Sequence, residues 1–152
     1  MRVLGSILFA LLFFVLPSAC KSSPCCDSCA QAQVVVTAVA GENPDCTRLT
    51  LHCSRSDGSA VACASTNAAK VGKASDPEDL RVMQSGKTEV LEEAGGLDVT
   101  VPIHAKDGKF QSACGVTLRS AAGSRDQLIE KATAMAKAVE ARLGACCGDC
   151  CK

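Results

Sequence analysis

Residues 97–104 read Leu-Asp-Val-Thr-Val-Pro-Ile-His, and this stretch decides the fold. Apolar side chains alternate with polar ones or Pro along its whole length, which is typical of a β-strand that buries one face in a core. Pro102 has no backbone N–H group to donate, so we expect the strand to be at a sheet edge, or bulged, at that position. The flanking sequence extends the same pattern into a sheet.

Further strands are predicted on both sides of this stretch. Their approximate positions are residues 49–54, 61–63, 88–94 and 110–118. The pairs Asp57-Gly58 and Asp107-Gly108 stand between successive strands and suit the positive φ angles of tight hairpin turns. Gly95-Gly96 supplies a third turn. The order is therefore two strands, an intervening segment and three more strands.

The intervening segment predicts a short helix. Asp76 can cap its first N–H groups, Pro77 suits the first helical turn, and Gly86 can end it. A longer helix is predicted over Ser124–Leu143, where an apolar stripe at helical spacing favours packing on the sheet over a dimer seam. Residues 30–40 fit either a helix or a strand, although their Val-rich run favours a strand by propensity.

These elements predict an α+β fold, a five-stranded antiparallel sheet flanked by helices with a long C-terminal helix. The 152-residue chain is long enough for one domain. Its 16 basic and 16 acidic residues balance, and it has four Phe with no Trp or Tyr. Nucleic-acid binding is not expected, because it needs a basic surface and stacking aromatic rings.

The N-terminal residues predict export. Arg2 precedes an apolar run that is shorter than the ~20 residues of a membrane-spanning helix, as in a signal peptide. The sequence before Cys20 resembles a lipobox, so Cys20 is a candidate for lipidation and membrane anchoring. We interpret residues 1–19 as a signal peptide, 20–29 as a Cys-rich tether, 30–144 as the folded domain and 145–152 as a Cys-rich tail. The protein is then expected at the periplasmic side or the cell surface.

Of the 12 cysteines, Cys20 stands apart and the other 11 form two groups. One group crowds the two chain ends and includes two Cys-x-x-Cys pairs, Cys26 with Cys29 and Cys147 with Cys150. Two such pairs can ligate zinc, but disulfides between the ends are favoured if the compartment is oxidising. The other group lies in the predicted sheet, where the cysteines are either small buried hydrophobic residues or partners in a bridge between neighbouring strands. Its members are Cys46, Cys53, Cys63 and Cys114.

The chain has two histidines, His52 and His104. Both lie at the more polar positions of their strands, where they could face a pocket or solvent. They are the candidate ligand-binding residues, although a surface imidazole is favoured for each. The sequence shows no convincing Ser-His-Asp order, no glycine-rich phosphate loop and no His-Glu-x-x-His motif. A non-enzymatic protein is therefore expected, with no cofactor unless the cysteine pairs hold zinc.

The central region resembles the extracytoplasmic PAS-like domains called Cache or PDC sensors. The resemblance is carried by a Val71-Gly72-Lys73 loop, the Asp76–Asp79 helix start, the Val101-Pro102-Ile103 strand and the Asp107-Gly108-Lys109 turn. It implies a small-molecule pocket on one face of a PAS-like sheet. The chain shows no transmembrane helix leading to an output domain, so the resemblance implies an exported binding module, sensory or scavenging, with a possible separate signalling partner. The alternative is a thiol-rich metal-binding protein.

Overall fold

The computed structural model describes the backbone of residues 24–55, 57–104 and 110–143, and the side chains of the same residues except 24–29, 110 and 111. The helices are α1 (Pro24–Gly41), α2 (Pro77–Ser85) and α3 (Arg125–Leu143), and the strands are β1 (Cys46–Ser54), β2 (Ala60–Ser65), β3 (Glu89–Glu93), β4 (Gly96–His104) and β5 (Phe110–Arg119). The predicted signal peptide, Cys20, the Asp107-Gly108 turn and the predicted tail at 145–152 lie outside the described residues.

The five strands form one antiparallel sheet in the order β2-β1-β5-β4-β3. The predicted α+β fold class is confirmed, with helices against the sheet and the long helix α3 at the end of the described chain. The first hairpin turns at Gly58, whose φ of 83° needs a residue without a Cβ atom. No described helix combines the length and the apolar character that a membrane span requires.

Helices α1 and α3 cover one face of the sheet and also pack against each other. The alternating residues of β4 confirm the predicted pattern, because Leu97, Val99, Val101 and Ile103 are all buried on this face. β1 and β5 add Leu49, Leu51, Val116 and Leu118, which makes this layer the main hydrophobic core.

Helix α1 resolves the segment whose propensity was ambiguous. The side chains of Ala32, Val35, Val36 and Val39 recur at helical spacing and are buried against the sheet, whereas Val34 is 68% exposed. Packing of this apolar stripe outweighs the β-propensity of the Val-rich run. The helix begins at Pro24, so it includes residues 24–29 of the predicted Cys-rich tether.

Helix α2 lies on the opposite face, against β4 and β5. It has Asp76 at its N-cap, Pro77 in the first turn and Gly86 at its C-cap with φ of 67°, as predicted. The apolar contact here is small, since one cluster of Ala60, Val82, Met83 and Ala113 accounts for it. Most of this face is left to polar side chains.

The prediction for Pro102 is also confirmed. β3 pairs with β4 only as far as Thr100, so Pro102 lies beyond the reach of that neighbouring strand. The register of β4 with β5 then shifts between Ile103 and His104. This irregularity at the end of β4 changes where His104 lies, as described below.

Candidate functional site

A polar cluster occupies the face of the sheet under α2. It consists of Arg48, Thr50 and His52 of β1, Asp98 and Thr100 of β4, Thr117 of β5, and Asp79 of α2. The strand members alternate with the buried apolar residues of the main core, so period-two geometry directs them to the other face. Asp79 joins them from the first turn of α2, where it is only 5% exposed.

A cavity of about 70 Å³ lies between the sheet and the start of α2. Its lining includes five members of the polar cluster, Arg48, Thr50, His52, Asp79 and Asp98. Gly115 of β5 forms part of its lining and carries no side chain. A Cβ atom built at Gly115 would lie 3.8 Å from His52 Nε2 and 3.8 Å from Thr100 Oγ1, which is ordinary contact. The cavity therefore extends to the backbone of the central strand between these two side chains.

His52 is buried in this site, with 6% of its surface exposed. Its Nδ1 lies 2.9 Å from Ser75 Oγ and 3.3 Å from Asp79 Oδ2. Removal from water lowers the pKa of His52 to about 4, because burial penalises the imidazolium more than nearby acids such as Asp76 stabilise it. The ring is therefore neutral at physiological pH.

Asp79 shows the opposite shift. Burial raises the pKa of Asp79 to about 6, although the backbone N–H of Asp76 donates a hydrogen bond of 3.0 Å to its Oδ2 atom. Thr100 Oγ1 donates to the other carboxylate oxygen at 3.4 Å. At neutral pH the ionised Asp79 favours the tautomer of His52 that carries its proton on Nδ1. His52 Nε2 is then a hydrogen-bond acceptor beside Gly115.

Arg48 closes the other end of the cavity. Its guanidinium donates to Glu93 Oε1 at 2.8 Å and to Asp98 Oδ2 at 3.3 Å. Thr117 Oγ1 donates to Asp98 Oδ1 at 2.8 Å. Burial raises the pKa of Asp98, partly offset by the bond from Thr117 and the charge of Arg48. These bonds hold both oxygens of Asp98 in fixed positions at the cavity wall.

Negative charge dominates the cavity lining. Five carboxylates, those of Asp76, Glu78, Asp79, Glu93 and Asp98, face two cationic side chains, Lys70 and Arg48. With His52 neutral, the lining has an excess of three formal negative charges when all the acids are ionised. A recess with this excess of negative charge attracts small cations and repels anions.

The arrangement of Ser75, His52 and Asp79 is not that of a nucleophilic triad. Both Ser75 Oγ and Asp79 Oδ2 approach the same ring nitrogen, Nδ1. In a triad the nucleophile and the acid contact opposite nitrogens, so that the ring can take a proton from one while the other orients it. His52 therefore does not connect Ser75 and Asp79 in the way that a nucleophilic triad requires.

The structure separates the two histidines of the sequence. His52 lies in the cavity, so the surface interpretation favoured for it is wrong. His104 is exposed, and its Nδ1 lies 3.4 Å from Glu140 Oε1 of α3. The register shift after Ile103 breaks the alternation that would have placed His104 on the α2 face.

The predicted metal or disulfide positions stay untested. Cys147 and Cys150 lie outside the described residues, as do the side chains of Cys26 and Cys29. Within the part of the chain that the structure describes, no group of three or more His, Cys, Asp or Glu side chains is arranged to hold a metal ion. The cysteines of the sheet, by contrast, are described, and Cys53, Cys63 and Cys114 are buried.

Sequence reasoning missed most of the polar cluster. From the sequence, Asp79 was noted only as part of the helix start at Asp76–Asp79, and Arg48 and Asp98 were not singled out. The alternation of side chains along the strands could have indicated the cluster. Arg48 and His52 share one face of β1, and Asp98 and Thr100 share one face of β4. The sequence alone did not reveal that α2 covers this face.

Comparison with known proteins identifies the fold. No family model and no curated protein matches the chain. Among solved structures, the GAF domain from Acinetobacter phosphoenolpyruvate-protein phosphotransferase is similar, with a TM-score of 0.56 and 12% identity over 76% of this chain and 81% of that one. The fold is GAF-like.

Two further GAF-like neighbours are regulators of transcription. The C-terminal domain of E. coli transcriptional regulator KdgR matches with a TM-score of 0.54 and 12% identity, over 80% of this chain and 99% of that one. An IclR transcriptional regulator from Alicyclobacillus acidocaldarius matches with a TM-score of 0.52 and 14% identity, over 84% and 70%. At these identities the likeness establishes the fold alone.

The comparison corrects the Cache/PDC resemblance and the localisation drawn with it. The three similar structures named above are a GAF domain, a domain of a transcriptional regulator and a further transcriptional regulator, and none of them is described as a Cache or PDC sensor. The expectation of a periplasmic or cell-surface lipoprotein with a membrane anchor is wrong on the same finding. The predicted order of strands and helices suggested the Cache family. The GAF-like fold of this chain has the same order, so the order alone does not distinguish the two folds.

Proposed function

We propose that this chain is a non-enzymatic binding domain for a small, positively charged molecule, held between the sheet and α2. The observation that carries the proposal is the buried polar cluster, in which His52 and Asp79 have pKa values shifted in opposite directions beside a cavity. Shifted titratable groups in a recess are typical of functional sites. The GAF-like fold of the chain is compatible with a regulatory binding role.

The volume of the cavity limits the size of the ligand. Drug-sized ligands occupy pockets of roughly 300–1,000 Å³. A cavity of about 70 Å³ has room for a few water-sized groups. The ligand is therefore a small ammonium compound, or the ammonium end of a longer molecule that leaves through the opening of the cavity.

The charges of the lining select the chemistry of that ligand. An ammonium group can donate to His52 Nε2 and to the carboxylates of Asp79 and Asp98, which are all acceptors at neutral pH. The Arg48 guanidinium already forms ion pairs with Glu93 and Asp98, so its charge is not available to bind an incoming anion. The proposal does not need a metal or cofactor.

Thermal unfolding of the purified chain with methylammonium, methanol or acetate tests the charge preference at matched ionic strength. We expect methylammonium alone to raise the melting temperature, by a shift equivalent to about 2.7 kcal/mol when its concentration is 100 times Kd. Equal shifts with methanol would contradict the charge argument. A shift with acetate only, or with none of the three, would overturn the proposal.

Two variants locate the binding site, and a third serves as the matched control. Asp98→Asn removes one charged acceptor, so we expect Kd for methylammonium to rise about ten- to a hundredfold. Gly115→Val fills the cavity from the central strand and should abolish binding. Glu130→Gln removes one carboxylate from the exposed face of α3 and should leave Kd unchanged. Binding that is insensitive to Asp98→Asn and Gly115→Val would place the ligand elsewhere.

A further inference from the structure

Two cysteines of the main core face each other across neighbouring strands. Cys53 of β1 is 1% exposed and Cys63 of β2 is 8% exposed. Their Sγ atoms are 2.6 Å apart, not far above the ~2.05 Å of a covalent disulfide. Both side chains belong to the cluster that packs under α1 and α3, so they meet on the face away from the cavity.

The local register explains why the two sulfur atoms meet. β1 pairs with β2 through Leu51↔Ala64 and then His52↔Ala62, so Cys63 is the extra residue of a bulge. The bulge leaves Cys63 without a paired residue in β1 and places its Sγ atom beside Leu51 O, at 3.3 Å, and beside Cys53. A β-bulge that changes the direction of a side chain in this way is a specific feature of a strand pair and not a defect.

We infer that Cys53 and Cys63 form a disulfide bond across the β1–β2 pair. A small-molecule disulfide such as oxidised glutathione is the oxidant. The Cys63 thiolate attacks one sulfur of the oxidant, which releases one glutathione thiol and leaves a mixed disulfide. The Cys53 thiolate then attacks Cys63 Sγ, which releases the second thiol. The two cysteine protons end on the two glutathione molecules.

The bond joins the edge strand β2 to the body of the sheet, and β2 in turn supports one wall of the cavity. Ala62 N donates to Lys73 O at 3.0 Å, Gly72 N donates to Ala62 O at 2.8 Å, and Ser75 N donates to Ala60 O at 2.9 Å. Ser75 is the residue whose hydroxyl lies against His52. The disulfide therefore covalently ties to β1 the strand that positions Ser75.

Another partner for Cys53 has less favourable geometry. Cys114 of β5 lies opposite Leu51, whereas Cys53 lies opposite Ser112. Ser112 Oγ is 3.9 Å from Cys53 Sγ. The position directly across from Cys53 in β5 is thus held by a serine, and the cysteine that reaches Cys53 Sγ is Cys63.

Peptide mapping of the full chain tests the inference directly. The protein is incubated with oxidised glutathione, blocked with N-ethylmaleimide under denaturing conditions and digested with trypsin without reductant. Cleavage after Arg48, Arg55 and Lys70 gives peptides 49–55 and 56–70, each with one cysteine. We expect these two peptides to be linked to each other, and to separate when dithiothreitol is added.

The alternatives give different peptides. A bond between Cys53 and Cys114 would link 49–55 to 110–119, and reduced thiols would give 49–55 and 56–70 with one maleimide each. Either result would overturn the inference. Cys114→Ala is the matched control and should retain the 49–55 to 56–70 link, whereas Cys63→Ala should lose it. Mapping of the unmodified chain decides the question even if a variant does not fold.

Discussion

At the scale of single residues, the main feature is the pair of buried groups with opposite pKa shifts. Burial disfavours the charged form of each, so His52 loses its proton more easily and Asp79 holds its proton more tightly than in water. Parity in β1 predicted that His52 faces away from the main core. Its burial was not predictable, because it depends on α2, which is distant in sequence.

These shifts predict how stability depends on pH. Because the pKa of His52 is about 4 in the folded state and about 6.5 unfolded, its contribution is complete above pH 6.5 and is lost as the pH falls towards 4. Asp79 acts in the opposite direction, since its folded pKa is about 6 against 3.8 unfolded. Its contribution is complete below pH 3.8 and is lost as the pH rises through 6. The two effects oppose each other between pH 4 and 6.

Asp79→Asn separates the two effects. Without the opposing carboxylate, we expect the unfolding free energy to rise more steeply between pH 4 and 6.5 than in the unmodified chain, as measured by urea denaturation at several pH values. NMR titration of the His52 ring should give a pKa well below 6.5 in the folded protein and near 6.5 in urea. A folded-state pKa of 6.5 or higher would refute the burial argument.

At the scale of elements, strands were predictable where alternation was long and turns were marked by Gly. β4 shows this best, with its alternating residues and the turn at Gly95, whose φ is 79°. Two features depended on packing that the sequence does not show. α1 formed as a helix in spite of its Val-rich run, and the irregularity after Ile103 moved His104 out of the face predicted for it.

The end of α2 gives a prediction at this scale. Gly86 has φ of 67°, a conformation that costs a residue with a Cβ atom about 1–2 kcal/mol. We therefore expect Gly86→Ala to lower the unfolding free energy by about 1 kcal/mol in urea denaturation. Gly41→Ala is the control, because Gly41 ends α1 without a positive φ and has open space around it. Equal effects of the two substitutions would refute the role of the left-handed cap.

At the scale of the whole molecule, the two faces of the sheet have different compositions. The α1–α3 face is apolar, and the α2 face carries the polar cluster. The sequence predicted the sheet and its flanking helices, but it did not predict which known fold the domain resembles. The reason is that hydrophobic periodicity reports which residues are buried and is indifferent to the fold family in which they are buried.

The apolar face should therefore determine global stability. Leu118 of β5 is fully buried beneath the helices, and Leu118→Ala should lower the unfolding free energy by about 2–5 kcal/mol. Leu91→Ala is the matched substitution on the edge strand β3, where the side chain is 39% exposed, and should change it by less than about 0.5 kcal/mol. Calorimetry of both variants checks the contrast, and a large loss at Leu91 would contradict it.

The separation of the two faces also bears on how such a domain can diversify. Residues that pack the main core and residues that line the cavity come from the same strands, and they alternate along each strand. Substitutions at the cavity positions can therefore change the shape and charge of the lining while the main core stays packed.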